Sequence, residues 1–501
     1  MRQTHGRSRI VRLRELVPQA PLYLGDDVPC TGCTSVLSEV QPGDLFVGVT
    51  GPDDDSHEQA SEAVAKGAVA VVGERILPVS VPQVVVEDTR EALGRAAHTL
   101  AGNPCRSLPT VGVTGTLGKT TTSLLLASVL NSERRGVAAL TSLAHCDSVD
   151  AHPAEQTTPS ATQIAGHLSS AVEHGCSHAV VELSSAGLAE RRAAGLELAV
   201  AVLTNLRRDH LDRHSSAAAY RVAKERIFSL LRDDGVAVLN ADCAGSQSIL
   251  RSLNRPALTF GLHSPADVTA QVLERSAGEQ TFYLEAGSDS VPVRTRIIGD
   301  QHIYNCLAAA TVGLLFNLPL TTIARGLEAV ESIPGRMERL DCGQDFDFFV
   351  DDARSHDALA MALKAARQVA SGRVICVASP ADDRSADERP LLGRVLEKMA
   401  NVAIITSAGA PTDNTLRDAH DVLDGYQRPG RAHIIPSRDK AIRWAIEEAN
   451  AGDVVVVCGA GHRGWKAGRK VTDDASLAKR ELYQLVAATN RLKPPVFAYS
   501  G

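Results

Sequence analysis

Short apolar runs recur along the chain, and most close on a small or polar residue. In the first hundred residues they are Asp44 to Val49, Ala68 to Val72 and Gln83 to Val86, separated by turn-forming residues. Between the first two, Ala60, Ala63 and Val64 fall at helical spacing within Glu58 to Lys66. Runs of this length alternating with a helical stretch predict a small N-terminal α/β domain over 1–109. Further on, Ala179 to Leu183, Leu198 to Leu203 and Val236 to Leu239 are apolar throughout, the pattern of parallel strands covered on both faces. Helical spacing over Ala161 to Glu173 and Ala217 to Leu231 places helices between them, and the alternation from Val268 to Ile297 predicts an antiparallel flap or edge. This second stretch defines a domain over 110–332. From Pro334-Gly335-Arg336 the rhythm resumes with Val374 to Ala378, Val402 to Thr406 and Asp453 to Cys458. A Rossmann-like domain over 333–501 follows, with its ligands expected at the carboxyl ends of strands. The predicted class is α/β in three domains.

The most informative local pattern lies at the start of the second domain. Val111 to Thr122 reads Val-Gly-Val-Thr-Gly-Thr-Leu-Gly-Lys-Thr-Thr-Thr, an apolar strand, a glycine-rich turn and a helix-like stretch through Leu130. Backbone N–H groups in such a turn form an anion nest, and the helix N-terminus adds partial positive charge. Gly115, Thr116, Gly118, Lys119, Thr120 and Thr121 are therefore candidates to hold ATP. Lys119 is placed to reach the terminal phosphates, and the Thr120 hydroxyl to meet Mg²⁺. The spacing departs from the common G-x-x-x-x-G-K-[ST] form, because Val113 stands where the first glycine belongs. The central domain is read as a P-loop ATPase built on a parallel sheet.

Length and composition narrow the partners. The chain has 501 residues, beyond one ordinary core, and its net charge of −7 leaves no basic footprint for nucleic acid. No apolar run reaches the roughly 18 residues of a membrane helix, and no apolar segment follows the basic start of Arg2, Arg7, Arg9, Arg12 and Arg14. Ten cysteines without a disulfide-like framework suit a reducing cytoplasm. Cys30-Thr-Gly-Cys33 is a lone pair, read as a turn with two buried thiols ahead of a metal or redox site.

Two further clusters follow buried runs. Glu182 should project from a strand's carboxyl end, where it would meet Mg²⁺ held by phosphates, a cation that favours one or two carboxylates plus phosphate oxygens; a solvated strand-end glutamate is the alternative. Thr204 to His214 is dense in polar groups. His210 and His214 are i,i+4, as in a zinc pair, but no H-E-x-x-H pattern or cysteine ligand accompanies them, and a polar loop facing the phosphate site is the better reading.

Taken in order, these pieces resemble the Mur ligases. The matching motifs are Gly112-Val-Thr-Gly-Thr-Leu-Gly-Lys-Thr-Thr, Thr157-Thr158-Pro159, Glu182-x-Ser-Ser, Thr204-Asn-Leu-x-Arg-Asp-His-Leu-Asp-x-His214, Tyr220-x-x-x-Lys224, Pro334-Gly-Arg-Met-Glu-Arg and Gly459-x-Gly-His462. Gln41 to Phe46 and Gly67 to Val72 extend the likeness into the first domain. It is greatest to the members that attach the third residue of the peptidoglycan peptide. The resemblance implies a cytoplasmic, ATP-driven amide ligase that adds an amino acid to a UDP-N-acetylmuramoyl-dipeptide through an acyl phosphate. It further implies that Thr120, Glu182 and His210 hold Mg²⁺ and that Lys119, His210 and Lys224 serve catalysis, with Lys224 carbamylated. Asn305, Arg336 and Asp351 would meet adenine, phosphate and ribose; Thr157, Thr158, Ser184 and Arg192 would bind the nucleotide-sugar peptide. Closure of the third domain would then exclude water.

Departures from the family pattern cluster at recognition positions. The first-domain Asp-Ser-Arg aligns with Val36-Leu37-Ser38, and Ser-Ser-His-Ala-Leu has become Ser184-Ser-Ala-Gly-Leu188. Asp-Tyr-Ala-His-Thr-Pro reads Asp351-Asp-Ala-Arg-Ser-His356, and the Gly-Gly-Asp-Arg-Asp region reads Ala381-Asp-Asp-Arg-Ser385. The Asp-Asn-Pro-Arg signature that selects diaminopimelate is replaced by Ala408-Gly-Ala-Pro411, and Gly-Lys-Gly-His-Glu by Gly459-Ala-Gly-His-Arg463. Two readings stand: a ligase with a changed amino acid or acceptor, favoured by the retained Lys119, Glu182, His210 and Lys224, and an ATP-binding paralogue that no longer ligates.

Overall fold

The structure, a computed structural model, describes residues 9–492 apart from 19, 52–53, 134, 208–215, 381–385, 410, 413 and 468–469. Internal contacts divide the chain into two compact units: Met1–Thr269 with Asn305–Gly326, and Ala270–Tyr304 with Leu327–Gly501.

Among the described residues the first unit holds two main sheets and a two-stranded pair, Val11–Arg12 with Pro29–Cys30. The smaller main sheet has the order Leu22–Leu24, Gln83–Val85, Ala70–Gly73, Asp44–Val47, Gly32–Thr34, parallel except for its first pair. Asp44–Val47 and Ala70–Gly73 are buried throughout, which is why they read as continuous apolar runs. The helix Thr89–Leu100 begins at Asp88, whose carboxylate accepts from the Glu91 amide, and packs Ala92 and Ala96 into this core. Cys30 and Cys33 are both buried, on the short strands Pro29–Cys30 and Gly32–Thr34, and burial pushes the Cys30 thiol up to about 11.

The larger sheet runs Val137–Leu140, His178–Glu182, Thr110–Thr114, Leu198–Leu203, Leu231–Asn240, Ala257–Gly261, all parallel. An antiparallel hairpin, Ala144–Cys146 with Ala151–Pro153, extends the Val137–Leu140 edge. The helix Ala161–Glu173 matches its expected bounds; it starts on a capping box in which Ser160 and Gln163 satisfy each other's amides. Ala217–Leu231 is a correction. The helix stops at Glu225, a 3-10 segment spans Arg226–Leu230, and Leu231 already belongs to the strand Leu231–Asn240. Leu198 pairs with Leu231 and Val200 with Val236, so a bulge absorbs the polar Arg232-Asp233-Asp234 inside one strand.

The second unit centres on a six-stranded sheet ordered Glu338–Arg339, Asp347–Asp351, Val454–Cys458, Val374–Ala378, Val402–Ile405, Ala432–Ile434. Only the first pair is antiparallel. Phe348, Val350, Ile375, Val377, Val455 and Val457 form its core with Ile442, Ile446 and Leu482 of flanking helices. Gln280–Ala286 and Asp289–Thr295 make the antiparallel hairpin that the alternation predicted. Among the described residues no helix is long and apolar enough to cross a membrane.

Candidate active site

In the first unit the carboxyl ends of three adjacent strands lie side by side. Val113 is in register with Glu182 on one side and Val202 on the other, so the turns beginning at Gly115, Leu183 and Thr204 leave one edge together. The strand Thr110–Thr114 keeps Val113 buried, which explains the unusual motif spacing: the turn begins only at Gly115. There a Cβ would lie 1.9 Å from Thr204 Oγ1, and at Gly118 (φ +84°) it would lie 2.2 Å from Asn305 Oδ1. Only glycine fits either position.

The turn is clamped from behind. Thr204 Oγ1 and Asn205 Nδ2 donate to the Leu117 carbonyl at 2.6 and 2.9 Å, while Asn205 accepts from the Thr116 and Leu117 amides at 3.0 Å each. The helix Lys119–Leu130 then opens, and its first amides have no acceptor within the helix itself. Two ammonium groups converge here: Lys119 Nζ donates to the Gly115 and Thr116 carbonyls at 3.1 Å, and the buried Lys224 Nζ to the Gly115 carbonyl at 2.7 Å. Lys224 also stands 4.7 Å over the Tyr220 ring, and the Tyr220 hydroxyl donates to Thr116 Oγ1 at 3.1 Å. Amides, a helix N-terminus and the Lys119 ammonium around one turn suit a polyphosphate.

Glu182 is 1% exposed. Its carboxylate accepts from Thr120 Oγ1 at 3.0 Å and from the Ser142 amide at 2.8 Å, and Thr120 and Ser142 hydroxyls lie 2.8 Å apart. Among the described residues no cationic side chain makes an ion pair with it. A buried carboxylate without a counter-charge beside a phosphate turn fits Mg²⁺, which takes a carboxylate and a hydroxyl and draws its remaining oxygens from phosphate and water. Among the described residues no group of three His, Cys, Asp or Glu side chains is arranged to hold a metal; His210 and His214, weighed in the sequence as a zinc pair, lie outside the described residues.

The substrate candidates adjoin this carboxylate. Thr158 Oγ1 donates to the Glu182 carbonyl at 3.0 Å and accepts from the Ser184 amide at 2.8 Å. Arg192 Nη1 donates to the Thr158 carbonyl at 3.0 Å and its Nε to Glu190 at 2.8 Å. Thr157 is half-buried next to Thr158. Asn305 accepts from Thr122 Oγ1 at 3.2 Å. The first unit therefore brings together the glycine-rich turn, Glu182, Thr157, Thr158, Ser184, Arg192, Lys224 and Asn305.

Arg336 and Asp351 belong to the second unit. The Met337 amide donates to Asp351 Oδ2 at 2.8 Å, and Arg336 pairs with Asp352 at 2.8 Å. Burial pushes the Asp351 carboxyl up to about 6 against the pull of Arg336. For Asp352 burial acts the same way, but Arg336 and Arg354 overcome it and hold the group below the usual carboxylate range. His210, with Asp209 and His214, lies outside the described residues. Ser142 was not singled out by sequence reasoning; its only signal is a place two residues past the apolar run Val137–Leu140, the strand beside the one that Glu182 ends.

Comparison with known proteins shows the family. The Mur ligase middle domain matches residues 113–313, and the Mur ligase glutamate ligase domain matches residues 335–461. A UDP-N-acetylmuramoyl-L-alanyl-D-glutamate–2,6-diaminopimelate ligase of Geobacillus kaustophilus is 38% identical over 431 residues, 84% of this chain and 88% of that protein. The chain belongs to the Mur ligase family. The Syntrophomonas wolfei enzyme of the same name is 33% identical over 91% of this chain and 95% of its own. A solved structure under that name superposes with a TM-score of 0.69 at 28% identity, covering 96% of this chain and all of the other. The ADP complex of MurF ligase from Thermotoga maritima, 19% identical, shares the fold with a TM-score of 0.64 over 90% of this chain and 98% of that one. As a Mur ligase, the protein is an ATP-dependent amide-forming enzyme.

Proposed function

We propose that this ligase attaches an amino acid to the terminal carboxylate of a UDP-N-acetylmuramoyl-dipeptide, in the synthesis of a peptidoglycan precursor. The observation that carries the reading is the Glu182–Thr120–Ser142 cluster beside a turn on which Lys119 and Lys224 converge. Segments 1–109, 110–332 and 333–501 are assigned to nucleotide recognition, ATP chemistry and reception of the amino acid.

Phosphoryl transfer needs positioning and charge neutralisation more than covalent help from the protein. Lys119 and the amides at the start of Lys119–Leu130 supply donors to the β- and γ-phosphates. Thr120 and Glu182 would hold Mg²⁺, with His210 in support. When bound, the metal neutralises charge on the transferring phosphoryl group. Thr158 ties the Glu182 strand to Ser184, so that the substrate-binding turn and the metal carboxylate share one scaffold. The incoming amine then attacks the acyl carbon of the acyl phosphate formed on the dipeptide; the C–N bond forms, the amine loses a proton, the C–O bond to phosphate breaks, and inorganic phosphate leaves. We assign Lys224 as a carbamate, which would turn a buried cation into an anion able to orient the metal; its confined place against Tyr220 and Gly115 supports a fixed role. Asn305 is assigned to adenine, Arg336 to phosphate and Asp351 to ribose.

The Geobacillus and Syntrophomonas relatives, and the solved structure that shares their name, are named for 2,6-diaminopimelate. Here Ala408-Gly-Ala-Pro411 stands in place of the family's selecting signature, and Arg463 presents a cation where an acid would greet an ammonium. We therefore assign a different amino acid. The test is phosphate release from Mg²⁺-ATP with UDP-N-acetylmuramoyl-L-alanyl-D-glutamate across an amino-acid panel. Release that requires the nucleotide and one amino acid other than diaminopimelate supports the assignment. Release with diaminopimelate alone refutes the changed specificity, and ATP binding without any release refutes ligation of this acceptor.

A further inference from the structure

One buried ion pair in the second unit has a geometry that ordinary stability does not require. Arg438 opens the helix Arg438–Glu448 and is fully buried. All five of its N–H groups are used. Nε and Nη2 donate to the two oxygens of Asp474 at 2.7 and 2.6 Å. Nη2 also donates to the Cys458 carbonyl at 3.0 Å, and Nη1 to the Ser407 carbonyl at 3.2 Å and to Ser379 Oγ at 3.3 Å. Asp474, equally buried, starts the helix Asp474–Leu492 and accepts from Trp465 Nε1 at 3.0 Å.

The three acceptors outside the pair share one property. Ser379 follows the strand Val374–Ala378, Ser407 follows Val402–Ile405, and Cys458 ends Val454–Cys458. A single guanidinium thus holds the point at which the chain leaves three adjacent parallel strands. Trp465, tied to Asp474, sits just past the turn Gly459–Gly464. An apolar cluster would fill the same space at equal or better stability, because desolvating a charged pair offsets its Coulombic gain. What an apolar cluster lacks is direction: five donors in a rigid plane fix five acceptors relative to one another.

We propose that Arg438 is a positioning residue for the second substrate: with Asp474 as its counter-ion, it sets the turns after Ser407 and Cys458 that receive the incoming amino acid. This rests on the functional reading above, which places that substrate at Ala408–Pro411 and Arg463. Arg438 itself is sealed from the ligand and acts only through the turns.

The test uses the full-length enzyme with Arg438→Lys, which keeps the charge but cannot span five acceptors. KM for the amino acid should rise roughly tenfold or more, with kcat and KM for ATP changed less than about twofold. Hydrogen exchange of the ligand-free protein should quicken in the Ser407 and Gly459–Arg463 turns and stay unchanged in Val374–Ala378 and Asp347–Asp351. Trp465→Phe removes one donor to Asp474 while leaving Arg438 satisfied, and should leave both readouts near wild type. Uniformly faster exchange across the second unit, or an equal loss in kcat and in KM for ATP, would mean a purely structural pair and overturn the proposal, as would no change at all. If the wild-type enzyme shows no amino-acid-dependent turnover, the functional reading fails, and the exchange pattern alone still decides whether Arg438 sets the turns.

Discussion

Glu182→Gln should move stability and activity in opposite directions. In the free protein the carboxylate is 1% exposed, with two donors and no cation in ion-pair range among the described residues. Hydrogen bonds to a charged acceptor are each worth about 1 kcal/mol more than neutral ones, so the amide gives up about 2 kcal/mol over the Ser142 and Thr120 contacts. Against that, the effective desolvation of a buried ion is several kcal/mol. The new amide N–H₂ has an acceptor at hand, because the Thr120 hydroxyl can turn its proton to Ser142 Oγ, 2.8 Å away. The free variant should therefore be more stable by about 1–3 kcal/mol. With Mg²⁺-ATP the balance reverses. Ligand at about 100-fold above its Kd stabilises the wild type by about 2.7 kcal/mol, and the metal-dependent part of that increment should vanish. Turnover should fall at least about 100-fold, or about 2.7 kcal/mol of transition-state stabilisation. Calorimetry in chelator and in Mg²⁺-ATP, beside phosphate release, reads all three quantities. A variant destabilised in chelator that keeps its Mg²⁺-ATP shift and its turnover would refute the metal assignment.

Lys224→Ala should nearly abolish turnover while titration calorimetry shows ATP binding retained, and isotope-labelled bicarbonate should give a carbamate signal in the wild type that the variant lacks. Gly118→Ala forces a Cβ against Asn305 Oδ1 at φ +84°, which should cost about 2–3 kcal/mol in left-handed strain and the lost Thr122 hydrogen bond, and weaken ATP; unchanged ATP affinity would remove the turn from the site. His98 is buried with no partner for either ring nitrogen among the described residues, and burial pushes it down from 6.5 to about 4. The unfolded chain thus binds the extra proton between those values, so stability falls by about 3 kcal/mol as pH drops from 6.5 to 4, and His98→Leu should flatten that limb in urea melts. Asp351 is raised from 3.8 to about 6, so its ionisation weakens the fold as pH climbs between those values; below about 6 it takes up a proton, KM for ATP should rise, and Asp351→Asn should remove that inflection.

Strand and helix positions were legible along most of the chain because burial on both faces of a parallel sheet leaves continuous apolar runs. Val374–Ala378 and Leu198–Leu203 show the rule, as does the helix Ala161–Glu173 with its Ser160–Gln163 cap. The strand, glycine-rich turn and helix from Thr110 to Leu130 were legible for a similar reason: their conformation is set by the local backbone, within some twenty residues. What escaped depends on partners far away in sequence. The strand Leu231–Asn240 starts at Leu231 because Leu198 pairs with it, and no local pattern reveals a bulge across Asp233 and Asp234. Ser142 lies 40 residues from Glu182, and became part of the site only when two parallel strands were set side by side. Nothing in the sequence around Arg438 singles it out. Its role emerges from three strand ends and Asp474, 36 residues on, closing around one guanidinium. Local periodicity carries the elements, since each obeys its own spacing; convergence of side chains at strand ends depends on sheet order and register, which arise from packing between segments distant along the chain.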